Sequence, residues 1–471
     1  MINSSFLEGA FPDTLKIAQV CTVFKKGERD LRENYRPISL LSNLSKLFER
    51  AMHSRVYGFF DNFDLFFDLQ FGFRKQHSTS HALLSIIDEI RHNLDNNTFS
   101  CGIFVDLEKA FDTVNHNILL KKLEHYGIRD VAKNWFCSYL SYRKQFVSLS
   151  GVSSNYLPIT CGVPQGSILG PLLFIIYIND MHNAIKFSKV HHFADDTNLL
   201  FSHKNPKILR KRVNADLALL FDWLCANRLS LNVGKTEFVI FRPKRSKRSE
   251  RVTLKINRCT IFESNKIRYL GVILDPNLSW KHHIFELNKK LFRGVGMIYK
   301  IRNLSDSDVL KSVYFSLFQS HVSYGLAAWG TSRHCLDNVF LTQKKAIRAM
   351  AGLHFDDHTS ASFKKFGILK IYDLMKVQYA SLMWDYDHGS LPQVFQGFFT
   401  KISDVHSHHT RSSASDDLAK TVYAKTIHGS KLFKIIGVDT FNEINKLPFY
   451  RSSRTRQCFL NHYKKYLIEK Y

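Results

Sequence analysis

The chain has 471 residues, too many for one compact core and enough for two to four domains. Hydrophobic residues make up 45% and charged residues 23%, an ordinary globular balance that excludes a disordered or fibrous chain. Lys and Arg number 66 against 41 Asp and Glu, and the resulting formal charge of +25 points to a polyanionic partner.

Residues 1–100 alternate loop-like and helical text. "NLSKLFERAMHSRVYGFFDN" (43–62) predicts a helix capped at Asn43 or Ser45, with Leu47, Met52, Val56 and Phe59 or Phe60 on one face. "HSTSHALLSIIDEIRHNLDNN" (77–97) predicts another, striped through Leu83, Ile86, Ile90 and Leu94. "SCGIFVDLEKAF" (100–111) reads as a buried strand running into a turn, and "DTVNHNILLKKLEHYG" (112–127) as a helix stopped by Gly127. After "GVPQGSILGP" an apolar helix runs through "LLFIIYINDM". "HHFADDTNLL" (191–200) then predicts a strand, a tight turn at the aspartates and a second strand. From Asn205 the period changes to 3.6, with Pro206 in the first helical position and Leu209, Val213, Leu217, Leu220 and Leu224 as the buried stripe. "TEFVIF" (236–241) and "IRYLGVIL" (267–274) read as strands, separated by a basic exposed loop, "PKRSKRSER" (243–251). Beyond "DPNLSW" the text is amphipathic helix, with short strand signals only near 369–372. A domain boundary is expected at about 276 and a looser break near 401–418; residues 276–471 carry about half of the net charge.

The eight cysteines form no CxxC pair and no zinc-ligand spacing, which predicts reduced thiols in an intracellular protein. "HSHH" (406–409) lies in loop-like text and is read as loop rather than metal site. The longest apolar run, "PLLFIIYI" (171–178), falls far short of the roughly 20 residues of a membrane span. The start, "MINSSFLEGAFPD", lacks the basic and apolar segments of a signal peptide.

Asp195 and Asp196 stand side by side within an apolar run, where each resists leaving water and each repels the other. "FVDLEKAFD" (104–112) supplies a third carboxylate, Asp106, at the end of another buried strand. Two strands ending in aspartate suit a site in which two divalent ions, about 4 Å apart, promote phosphoryl transfer. Carboxylates are the hard oxygen ligands that Mg²⁺ prefers, and bound cations would keep the cluster ionised.

In seven segments the chain resembles the reverse transcriptases of non-LTR (LINE-type) retrotransposons, most closely the jockey-like group. They are "NYRPISLLSNLSKLFE" (34–49), "QFGFRKQHST" (70–79), "FVDLEKAFDTVNH" (104–116), "GVPQGSILGPLLF" (162–174), "FADDTNLL" (193–200), "LSLNVGKTEF" (229–238) and "RYLGVILD" (268–275). They occur in the family's order. Group II intron maturases, which tend to read "TPQGG" and "YADD" at these places, fit less well, and telomerase less well again. The resemblance implies an α+β right-hand polymerase fold with an antiparallel palm sheet and a helical C-terminal region. Fingers would occupy 1–100, palm 101–275 with finger and primer-grip elements, a helical thumb 276–350 and a basic C-terminal region 351–471.

It also implies roles. Asp106 and Asp195 resemble the family's metal ligands and Asp196 the third acid. Two Mg²⁺ ions, or Mn²⁺ in their place, are the expected cofactors. Phe111 matches the steric gate against a ribose 2′-hydroxyl, and Gln165 the residue lining the dNTP pocket. Gly162 and Gly166 would let the backbone approach the template–nucleotide pair. Lys235 matches a palm lysine that assists pyrophosphate departure, and Arg74 and "FKK" (24–26) finger residues near the triphosphate. "YLGV" (269–272) corresponds to the strand that grips the primer, and "KSVYFSLFQSHVSYGLAAWG" (311–330) to the thumb. Tyr35, Arg36 and Pro37 read as fold determinants, and Glu108 and Asp112 as structural or surface groups.

The implied activity is RNA-directed DNA synthesis, with RNA template, DNA primer and dNTPs as partners and no membrane. The implied setting is a ribonucleoprotein in nucleus and cytoplasm. The family's upstream endonuclease is absent from this text, so Met1 is expected to be internal to a longer ancestral frame. No RNase H-like block and no zinc knuckle are seen. The alternative is a catalytically silent or co-opted nucleic-acid-binding relic, against which the intact Asp triad counts.

Overall fold

The computed structural model describes every residue except 150, 244–252, 258 and 406–416. The basic loop after Pro243 and the "HSHH" run therefore lie outside the described residues. In chain order the elements that build the site begin with β1 (Ile17–Phe24), β2 (Tyr35–Leu40), α1 (Asn43–Asn62), α2 (Thr79–Asp95), β3 (Phe99–Val105) and β4 (Lys144–Leu149). They continue with α3 (Leu169–Ile178), β5 (Lys189–Phe193), β6 (Asp196–His203), α4 (Pro206–Ala226), β7 (Glu237–Phe241), β8 (Ile267–Tyr269) and β9 (Val272–Leu274). Helices α5 (Lys281–Ile301), α6 (Arg333–Ala351), α7 (Ile371–Asp387), α8 (Phe433–Ile444) and α9 (Arg456–Glu469) follow.

The fold is α+β, built on an antiparallel sheet of order β5-β6-β3-β7. Alternate residues of a strand face opposite sides, and here both sides are apolar. Phe104, Leu200, Val239 and Phe241 join one core with α2 and the C-terminal helices. Cys101, Ile103, Val105, Leu199, Phe201, Phe238 and Ile240 join the other with α1, α3 and α4. Each fully buried large side chain contributes roughly 1.5–3 kcal/mol, so a shift of one residue in register would exchange the two cores and lose most of this.

Local chemistry explains the element ends. Asn205 caps α4 by accepting from Lys207 N–H, and the expected leucine and valine stripe is buried. Helix α1 is capped by Ser42 instead of Asn43 or Ser45. Ser45 lies inside and donates to Glu49 (3.2 Å), while Phe48, Met52, Val56 and Phe60 form the buried row and Leu47 faces solvent. Helix α2 buries far more than its expected stripe, because the central sheet and the C-terminal helices cover opposite sides of it.

Three sequence expectations are corrected. The segment 267–274 is a hairpin, not one strand: Leu270 and Gly271 both take left-handed φ (43° and 77°), and Tyr269 pairs with Val272. Residues near 369–372 lead into helix α7 and form no strand. The first 100 residues contain a sheet, β1 pairing antiparallel with β2 and parallel with β4. Its burial is too irregular to show an alternating pattern.

The turn at residue 276 is not a gap in packing. Asp275 accepts from the N–H groups of Asn277, Ser279 and Trp280, and Trp280 enters the same core as α2. Farther along, three polar residues of α2 hold the C-terminal segment. Arg91 donates to the carbonyls of Ala328 and Lys431, Asp88 accepts from Phe433 N–H, and Asp95 accepts from Thr426 N–H.

His191 and His192 on β5 are completely buried, and burial pushes both imidazoles down to about 3. The unfolded chain takes up these protons near 6.5, whereas the fold refuses them until far lower pH. Stability contributed by the neutral rings is thus present above pH 6.5 and lost as pH falls. His191→Leu should remove one such site. Between pH 7 and 5 the wild type should lose about 2 kcal/mol more than the variant, measured by urea unfolding at each pH, and parallel curves would refute it.

Candidate active site

The register of the central sheet assembles the acids. Val105 pairs with Thr197, so Asp106, the next residue, stands level with Asp196 at one edge. Asp195 occupies the turn between β5 and β6, where Phe193 pairs with Asp196. Ala194 takes a left-handed φ of 56°, which brings the strands round in two residues. The sequence reading placed this turn correctly.

Solvent reaches both hairpin carboxylates, yet protein surrounds them on most sides. Partial burial raises the affinity of Asp195 for a proton, and Asp106 adds to this, while Arg36 and Lys25 oppose it. Asp196 is pushed up to about 6 by burial, then by Asp195 and Asp106. Lys235 Nζ lies 3.6 Å from Asp106 Oδ2 on an exposed side chain, a weak surface pairing. A cavity of about 280 Å³ joins Asp106, Asp196 and Lys235 to the Tyr269–Gly271 hairpin. Tyr324 of the helical region donates to Leu270 O (2.7 Å) and so fixes the hairpin tip.

Among the described residues no group of three His, Cys, Asp or Glu side chains forms a ready-made metal cage. The donor set still suits Mg²⁺, which commonly takes one or two carboxylates plus substrate phosphates and water. Mutually repelling carboxylates also gain from a cation in either protonation-sensitive position.

The remaining expected residues divide. Phe111 is half-buried, stacked on Phe174 (4.4 Å between centroids) with Phe73 edge-on at 6.2 Å, so its ring is rooted in the core and held from two sides. Gln165 donates to Asp112 Oδ1 (2.9 Å), which gives Asp112 a structural part in holding the Gln165 loop. Arg74 is engaged elsewhere: it donates to Phe67 O (3.0 Å) and lies over the Phe66 ring. Lys25, within the expected "FKK", and Arg36, read from sequence as a fold determinant, are the cations whose charge reaches Asp195. Gly166 and Gly162 are required by their own chain, since a Cβ would strike Ser39 O and the Asp112 backbone.

Sequence reasoning missed the residues that hold the acidic turn. Gln70 is buried, and its Oε1 accepts from both Gly72 N–H (2.8 Å) and Ala194 N–H (3.1 Å). The adjacent backbone bonds His192 on both sides, at 2.8 and 2.9 Å. Gly72 lies against the turn so closely that any Cβ would collide with Ala194 N. Glu49, fully buried, accepts from Ile168 N–H (2.6 Å) and so supports the start of α3 behind Gln165. "QFG" was visible as text, but nothing in it announced a clamp on residues 120 positions away.

Comparison with known proteins agrees with this geometry. The chain is 28% identical over 367 residues to the RNA-directed DNA polymerase from mobile element jockey of Drosophila melanogaster, covering 75% of this chain and 39% of that protein. It is 27% identical to the probable RNA-directed DNA polymerase from transposon BS of the same organism, covering 72% and 39%. The chain therefore spans about two-fifths of the length of these relatives. Among solved structures, telomerase from Candida tropicalis in complex with a fragment of telomeric RNA aligns at 12% identity and a TM-score of 0.44, over 95% of this chain and 64% of that one. The model of the family described as "Reverse transcriptase (RNA-dependent DNA polymerase)" matches residues 23–274, more than half of the chain and the whole of the acidic sheet. With its α+β right-hand polymerase fold, the chain belongs to the reverse transcriptase family.

Proposed function

We propose that this chain carries the RNA-directed DNA polymerase activity of a non-LTR retrotransposon, acting by nucleotidyl transfer at Asp106, Asp195 and Asp196. The observation that carries the reading is the strand register that sets Asp106 beside the Asp195–Asp196 turn, next to a cavity closed by Lys235 and the Tyr269–Gly271 hairpin. RNA template, DNA primer and dNTPs are the proposed partners, and the positive charge suits their phosphates. Fingers over 1–100, palm over 101–275, thumb over 276–350 and a basic region over 351–471 are the proposed division.

Asp106 and Asp195 would hold the divalent ions, with Asp196 adding charge to the same edge. Two Mg²⁺ ions would lower the barrier by activating the primer hydroxyl and stabilising the leaving pyrophosphate. The protein's own side chains do the rest. Lys235 offers a cation and a proton beside Asp106, where charge builds on the leaving group. Lys25, within the expected "FKK", and Arg36 supply positive charge on the finger side of Asp195. Phe111, braced by Phe174, presents a rigid ring that selects a deoxyribose by shape. Gln165, held by Asp112, lines the nucleotide side, and the Tyr269–Gly271 turn seats the primer end.

Asp195→Asn separates catalysis from folding. The amide removes a repelling charge, so without divalent ions the variant should melt no lower than wild type. Its Mg²⁺-dependent primer extension on a poly(rA)/oligo(dT) template should be lost while primer–template binding persists. Extension within tenfold of wild type would refute the assignment.

Phe111→Val should admit ribonucleotides. A shape filter of about 2–4 kcal/mol predicts a rise in rNTP over dNTP incorporation on the order of 30- to 1,000-fold. Single-nucleotide kinetics on a heat-stable preparation provide the check, and an unchanged ratio would return Phe111 to a purely packing role.

A further inference from the structure

A second cavity, of about 700 Å³, lies away from the acidic edge, between the start of α2 and the C-terminal helices α7 and α9. Two helix N-termini open onto it. Ser78 caps α2 and Ser80 lies in its first turn, while Thr455 caps α9 and Arg456 is its first residue. At each end one leading N–H is capped, His81 by Ser78 Oγ and Cys458 by Thr455 Oγ, and the N–H groups before it have no acceptor within the helix and carry partial positive charge. Arg454 and Arg456 add two exposed guanidinium groups.

The side chains facing this space point to a ligand. His81 is 9% exposed and its Nδ1 has no partner, although the ring lines the cavity. The one carboxylate present, Asp385, is engaged by Arg456 at 2.7 Å. The histidines are His77, His81 and His388, and burial together with the neighbouring cations keeps His77 and His81 from charging. Arg454 is left facing the cavity with no acid opposite it among the described residues. At the rim the exposed His388 ring stacks on Trp384 (4.0 Å, 14°), which stacks in turn on Phe459 (5.0 Å). Two converging helix ends suit a phosphate, and an outward-facing ring on an aromatic stack suits a base.

We propose that this cavity holds one nucleotide unit of a single-stranded nucleic acid, its phosphate at the two helix ends with Arg454 and its base on His388. The site is separate from the polymerase edge and gives the C-terminal region a direct grip on a strand. It rests on the nucleic-acid reading above, but the two fail separately, since primer extension reports that reading and single-strand affinity reports this one.

The test uses the full chain and a fluorescent 20-nucleotide pyrimidine RNA, with affinity read by anisotropy across a salt series. Ser80→Glu places a carboxylate in the first turn of α2, where it favours the helix while repelling a phosphate. Arg454→Glu removes the unopposed guanidinium. Each should weaken binding about tenfold and flatten the salt slope by about one, and Ser80→Glu should keep the wild-type melting temperature. Lys121→Glu, an exposed charge reversal far along the chain, should stay within twofold. Affinities of Ser80→Glu and Arg454→Glu that match Lys121→Glu would overturn the proposal. So would competition by uridine monophosphate as effective, mole for mole, as a five-nucleotide strand, because the cavity would then serve a free nucleotide.

Discussion

Repulsion among three carboxylates at one edge of a sheet is the constraint around which this molecule is arranged. Burial raises the energy of the ionised forms of Asp195 and Asp196, and the neighbouring acids, Asp106 on Asp195 and both Asp195 and Asp106 on Asp196, raise it further. Left alone, such a turn would splay or protonate. It is held from behind by neutral groups that add no charge of their own: the Gln70 side chain binds Ala194 N–H, and Gly72 approaches as only a glycine can. Positive charge arrives from two sides, on Lys235 from the β7 approach and on Lys25 and Arg36 from the β1–β2 sheet. The scaffold fixes position while the cations, and the metal ions proposed here, supply compensation.

The same edge stays in place because the sheet beneath it is packed on both faces. Residues alternating along β3 divide between two cores, and one of these extends through α2 into the last helices of the chain. Asp88, Arg91 and Asp95 on α2 bond backbone groups more than 230 residues away, so the C-terminal region is part of what holds the sheet. A buried guanidinium that satisfies two carbonyls costs several kcal/mol to remove. Cutting the chain after "DPNLSW" would therefore expose the core of α2, and the change of composition at 276 marks a change of secondary structure within continuous packing.

Much of this was legible in the sequence, for identifiable reasons. The α4 stripe, its Asn205 cap and the DD hairpin all depend on residues within a turn or two of each other, and each came out as read. Leu47 failed because two interleaved rows of apolar residues share α1, and only tertiary packing selects the Phe48–Met52–Val56–Phe60 row. The β8–β9 hairpin was hidden inside an apolar run, where a Leu–Gly turn is a weak signal beside Asn–Gly. Arg74 looked poised for an anion because nothing in its own segment reveals that the Phe67 carbonyl would claim it. Gln70 and Glu49 were missed since the partners that matter here, Ala194 and Ile168, lie more than 100 positions away.

The sheet of β1, β2 and β4 adds a coupling that no single segment contains. Ser39 N–H on β2 donates to Gln165 O (2.7 Å), and Gly166 is flattened against the Ser39 carbonyl. Three residues earlier, Arg36 contributes positive charge at Asp195. One short strand thus meets the Gln165 loop through its backbone and reaches the acidic turn through the charge of a side chain. Because β1 pairs with β2 and also with β4, the strand cannot tilt alone, and any displacement carries Arg36 and the Gln165 loop together. Gln165 in turn is tied to Asp112, one residue beyond the Phe111 ring. The strand that brings charge to Asp195, the Gln165 loop and the segment that carries the Phe111 ring are therefore linked through three hydrogen-bonded residues, Ser39, Gln165 and Asp112.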